Sequence, residues 1–114
     1  MTETDCLFCR IAAGDIPADV VASTDSVVAF RDIAPKAPVH VLVIPRAHYA
    51  DAASVAAAEP ALLADMMALA KRVADDECDG HYRLVLNTGA KAGQTVFHAH
   101  AHVLGGGELG WSPA

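Results

Sequence analysis

No apolar run in this chain approaches the roughly 18 residues needed to cross a bilayer. The sequence is 54% hydrophobic, but much of that share is alanine. No Lys/Arg cluster interrupts the formal net charge of -6, so the basic face that nucleic acid or an anionic membrane requires is missing. A single nucleotide remains possible, because backbone amides and a few polar side chains can hold one. The polar start from Met1 to Asp5 lacks the basic-then-apolar order of a secretory signal, which gives the expectation of a cytoplasmic protein. Three cysteines in that reducing compartment are not expected to form disulfides. Repeats and linker-like stretches are absent, and 114 residues suit one domain spanning 1–114 with a modest core.

Apolar runs punctuated by Gly and Pro predict strands at Val27 to Phe30, Val39 to Ile44, Arg83 to Asn87 and Val96 to Leu104, with a weaker one at Val20 to Ala22. One long helix is predicted from Glu59-Pro60, carrying Leu62, Met66, Leu69 and Val73 at helical spacing until Asp79-Gly80 stops it. A shorter helix is expected over Cys9 to Ala13. Strands grouped around one main helix, without strand-helix alternation, predict an antiparallel α+β domain.

Six histidines stand in a chain with only three phenylalanines, and three of them form the run His98-Ala99-His100-Ala101-His102. On a continuous strand these three share one face, while Phe97, Ala99, Ala101 and Val103 share the other. The outer pair would then lie about 13 Å apart, too far for one metal to hold all three. Two chemistries suit the row. One is a catalytic metal held by an adjacent His-x-His pair and a third ligand. The other is nucleophilic imidazole, which attacks phosphorus at neutral pH when its second ring nitrogen is fixed as a donor.

His98-Ala99-His100-Ala101-His102-Val103-Leu104 resembles the His-φ-His-φ-His-φ-φ signature of the histidine-triad (HIT) proteins, φ being apolar. Phe30-Arg31-Asp32-Ile33-Ala34-Pro35, the segment from His40 to His48 and Gly93-Gln94-Thr95-Val96-Phe97 match that family in order. The tail from Gly105 to Pro113 is similar to the Hint branch, which hydrolyses nucleoside phosphoramidates. The resemblance implies a five-stranded antiparallel sheet, a homodimer, and hydrolysis of a purine nucleoside 5'-phosphoramidate to the monophosphate and an amine. A Fhit-like dinucleoside polyphosphate hydrolase is its alternative, and a nucleotide-binding scaffold with incidental turnover is another.

By the same resemblance His100 is the nucleophile that carries a nucleotidyl group, His102 holds the α-phosphate, and Thr95 reaches the leaving-group nitrogen or a phosphate oxygen. Gln94 and the backbone around Gly93 would add donors for the transition-state charge. Asp32 and Asn87 read by default as turn residues. The resemblance assigns Asp32 to both ribose hydroxyls and Asn87 to the nucleotide. Phe8, Ile11 and Ile33 would wall the base, and His40 would approach the active histidine as a supporting residue.

Cys6-Leu7-Phe8-Cys9 has the gap of a zinc knuckle or a redox pair. The chain lacks the βαβ setting of a thioredoxin-like site. Bacterial members of the family with this pair complete a zinc site with the equivalents of His48 and His98, which leaves His100 free to react. Four Cys/His ligands with no open position imply a structural Zn2+. His81 is expected to be solvated and Cys78 a bystander, while Trp111 would either cap a binding site or cover apolar surface.

Overall fold

A computed structural model describes residues 6–111. Met1 to Asp5 and the tail beyond Trp111 lie outside the described residues, as do the readings that rest on them. Helix α1 covers Leu7–Ala12 and is followed by strands β1 (Val20–Ser23), β2 (Val27–Arg31) and β3 (Val39–Pro45). Helices α2 (Ala52–Ala58) and α3 (Pro60–Glu77), then strands β4 (Tyr82–Val85) and β5 (Ala101–Gly105), complete the order. The strands form one antiparallel sheet in the order β1-β2-β3-β5-β4. Among the described residues no helix is long and apolar enough to cross a membrane.

Helix α3 begins with proline in its first turn and buries Leu62, Met66, Leu69, Ala70, Val73 and Ala74 on one stripe, as the spacing predicts. That stripe packs on Val27, Ala29, Val41, Val43 and Val103. Each such fully buried Val, Leu or Met side chain contributes roughly 1.5–3 kcal/mol. Helix α2 was not expected. It is nearly all alanine, with only Val55 buried, so it carries no periodic signal; Asp51 starts it by accepting the Ser54 N–H at 2.9 Å.

The other face of the sheet holds Val28, Phe30, Leu42 and Ile44, covered by Cys6 and Phe8. Strands β2 and β3 are therefore buried on both sides, which explains their unbroken apolar runs. Helix α1 has only six residues, too few to cover the whole face. The register places His40 and His102 on that face beside Leu104, Arg83 and Val85, past the reach of α1. Incomplete coverage of one sheet face thus creates the site.

The predicted strand Val96 to Leu104 is corrected: regular pairing begins only at Ala101. Upstream, the Ala99 N–H donates to the Tyr49 carbonyl at 2.7 Å and the Gln94 amide takes the Val96 carbonyl at 3.0 Å. These bonds bend the segment away from the sheet, and Phe97, expected to share a face with Ala99, Ala101 and Val103, is exposed where those three are buried. The other predicted strands occur, although β4 stops at Val85 and leaves Leu86 and Asn87 beyond it. Gly105 ends β5 where a Cβ would stand 2.7 Å from Cys78 Sγ and 2.8 Å from the His81 carbonyl oxygen, so only glycine fits there.

Candidate active site

Helix α1, the turn after β3 and the bent segment before β5 bring together Cys6, Cys9, His48 and His98, whose ligating atoms all lie within 4.8 Å of one another. His98 Nδ1 is 3.3 Å from Cys6 Sγ and 3.4 Å from Cys9 Sγ, while His48 Nδ1 is 3.3 Å from Cys9 Sγ. Tetrahedral zinc with ordinary bond lengths separates sulfur from nitrogen by roughly 3.5 Å. His98 Nε2 lies 2.7 Å from the Pro45 carbonyl oxygen, which can only accept. The proton is therefore on Nε2, and Nδ1 presents its lone pair to the two sulfurs. This cluster can bind a metal ion.

His98 also serves its neighbour. Its backbone carbonyl lies 2.7 Å from His100 Nδ1, so His100 donates from Nδ1 and keeps its lone pair on Nε2. The imidazole is buried and meets the Phe8 ring edge-on at 5.1 Å. Its ring lies 5.0 Å from that of His102.

The tautomer of His102 follows from a chain of contacts. The Lys36 N–H donates to His40 Nδ1 at 3.0 Å, which places the proton of neutral His40 on Nε2. That N–H donates to His102 Nδ1 at 2.9 Å, with Asp32 Oδ2 at 3.5 Å. His102 must then carry its proton on Nε2. Burial lowers the His102 pKa to about 4, helped by His100 and His40 and opposed by Asp32. Burial also lowers that of His40, against the pull of Asp32. Both rings are neutral at physiological pH.

A cavity of about 560 Å³ opens over this group, walled by Phe8, Ile11, Phe30, Ile33 and Leu42 and reaching Asp32, Thr95, His100 and His102. Phe30 and Leu42 were not singled out in the sequence, where they read as sheet core; their alternation on the face that α1 half covers was the available signal. Ile33 is fully exposed and stands at the rim. A second cavity, of about 730 Å³, holds Asn87, Gly93 and His40 and also meets Asp32, Thr95 and His102.

Asp32 does form the turn that its position suggests, since Oδ1 accepts the Ala34 N–H at 2.7 Å, and it lines both cavities as well. Gly93 is left-handed at φ 95°, and a Cβ there would come within 3.8 Å of the Asn87 amide. Gln94 has a different task from the one expected. Its amide donates to the Ala50 and Val96 carbonyls at 2.6 and 3.0 Å, and its oxygen accepts the Gly89 N–H at 2.9 Å. The buried side chain thus shapes the loop before the triad and has no N–H left to point at a ligand. Trp111 is exposed, His81 is exposed, and Cys78 is buried against Gly105.

Residues 13–109 match the HIT domain family model. The purine nucleoside phosphoramidase of Escherichia coli K12 is 41% identical over 106 residues, covering 91% of this chain and 89% of that protein. An uncharacterized HIT-like protein of Synechococcus elongatus is 46% identical over 111 residues, covering 96% of each chain. Among solved structures, a HIT family hydrolase from Legionella pneumophila superposes with a TM-score of 0.91 at 45% identity, covering 96% of this chain and all (100%) of that one. With the triad, the sheet and these likenesses in agreement, the chain belongs to the HIT domain family.

Proposed function

We propose that this HIT hydrolase cleaves purine nucleoside 5'-phosphoramidates to the nucleoside monophosphate and an amine through a nucleotidyl adduct on His100. The observation that carries the reading is the 2.7 Å bond from His100 Nδ1 to the His98 carbonyl, which leaves Nε2 as a lone-pair nitrogen in the cavity. The phosphoramidase relative from Escherichia coli supports the choice of substrate.

The base sits among Phe8, Ile11 and Ile33, and Asp32 accepts from the ribose hydroxyls. Asn87, the Gly93 backbone and the Nε2–H of neutral His102 hold the α-phosphate. His100 Nε2 forms a bond to phosphorus as the P–N bond breaks. The departing nitrogen takes the bonding pair and a proton relayed from solvent through the Thr95 hydroxyl. The His98 carbonyl stabilises the positive charge gained by His100. Water then attacks phosphorus and loses a proton to solvent as the bond from phosphorus to His100 Nε2 breaks, and the returning electron pair leaves His100 neutral.

Cys6, Cys9, His48 and His98 would hold Zn2+, whose closed coordination supplies no reacting position and ties α1 to the triad segment. The family resemblance supports a homodimer and a cytoplasmic setting. Turnover of adenosine 5'-phosphoramidate compared with that of diadenosine tetraphosphate tests the proposal. Faster cleavage of the phosphoramidate is expected, and binding of nucleotide without turnover of either would refute it.

A further inference from the structure

The two cavities share Asp32, Thr95 and His102, but His100 lines only the apolar one, whereas Lys36, Arg83 and Asn87 line only the other. In phosphoryl transfer the attacking and departing atoms lie roughly in line through phosphorus. With the base in the apolar cavity and His100 attacking from that side, phosphorus held at Thr95 and His102 sends its leaving group into the second cavity.

That cavity reverses the charge of the protein around it. The chain has a net charge of -6, yet two cations stand here with no carboxylate within 4.0 Å of either among the described residues. Lys36 Nζ donates to the Ala34 carbonyl at 3.2 Å and Arg83 Nη2 to the Gly110 carbonyl at 2.6 Å, contacts that leave both charges uncancelled. The register sets Arg83 opposite Leu104, on the same sheet face as His102. The Lys36 charge is felt inside the site, where it acts to lower the pKa of His40. Among the described residues Asp32 is the one acid lining the cavity, and its Oδ1 is already engaged by the Ala34 N–H.

We propose that Lys36 and Arg83 make the second cavity select a leaving group that carries negative charge. The inference rests on the P–N cleavage reading, for which the matching class is an amine bearing a carboxylate close to its nitrogen. The bond changes are those given above: the carboxylate stays intact, and the nitrogen departs with the P–N electron pair and one proton. A phosphate leaving group offers the same charge from a different source.

The test compares kcat/KM of the full chain for adenosine 5'-phosphoramidates of glycine, glycinamide and ethylenediamine, together with diadenosine tetraphosphate. The glycine compound should exceed the ethylenediamine compound by about fivefold or more. That ratio should narrow as salt rises from about 10 mM to about 1 M. Lys36→Glu, at an exposed side chain, should reverse the order of those two substrates. Equal values for the three amines, or an unchanged order in Lys36→Glu, would overturn the inference and leave the phosphoramidate reading intact. Cleavage of the tetraphosphate alone would overturn that reading. In that event, slowing by Lys36→Glu would uphold the anionic cavity and no slowing would overturn it. Inertness toward every substrate would overturn both.

Discussion

The backbone carbonyl of His98 lies 2.7 Å from His100 Nδ1, while the ring of the same His98 reaches the sulfurs of Cys6 and Cys9. One residue thus joins the cluster that could hold a metal ion to the proposed nucleophile. Phe8 strengthens the link, because it sits between the two cysteines in sequence and its ring contacts both His98 and His100. Loss of metal should therefore loosen α1 and the wall of the cavity before it touches any reacting atom.

As purified, the protein should hold about one zinc per chain, and Cys9→Ser should lower the melting temperature more than it lowers kcat. Elemental analysis and calorimetry check this. A metal-free preparation of full stability would exclude the site, and complete loss of activity on chelation with the fold intact would indicate a catalytic metal.

His100→Asn should bind nucleotide but show no measurable turnover, since the covalent path is gone. His102→Ala should be slower by about 10²- to 10³-fold, the typical cost of one stabilising donor. Two displacements at phosphorus give net retention, so a substrate chiral at the α-phosphorus should keep its configuration, and acid quench should trap a nucleotidyl group on the His100 peptide. Inversion without an adduct would mean direct attack by water.

Asp32→Ala should weaken ribonucleotide binding by roughly 1.5–3 kcal/mol, the range for hydrogen bonds to a charged group. A 2'-deoxy nucleotide should show part of that loss in the wild type and almost none in the variant. Simple additivity of the two changes in a titration calorimeter would remove Asp32 from the ribose.

His102 has a folded-state pKa of about 4 against an ordinary 6.5. Between those values the unfolded chain binds a proton that the folded chain refuses, so this residue's contribution is full above pH 6.5 and is lost as pH falls toward 4. His40, also lowered, acts in the same direction. The His102 ring resonances should stay at their neutral shifts from pH 7 to 5 in an NMR titration, and His102→Gln should flatten part of the acid-induced loss of stability in denaturant melts. A midpoint near 6.5 for that ring would contradict the buried, neutral arrangement.

Local periodicity in the chain was enough to determine α3, the strands β1 to β3 and the presence of a histidine row, because a stripe at helical spacing and runs of apolar residues are properties of neighbours. Resemblance added the residues that converge on the site. The division of the histidines, which resemblance implies, has its physical cause only in the tertiary structure. His98 lies before the paired part of β5, and its ring meets partners 92 and 89 positions away, Cys6 and Cys9. The proton of His102 is placed by His40, 62 positions away, and ultimately by the Lys36 backbone N–H. The reassignment of Gln94 from donor to loop brace depends on the Ala50 carbonyl, 44 positions upstream. Tautomers, ligand sets and cavities are set by which donor meets which acceptor across the fold, and such long-range pairings leave no period in the sequence.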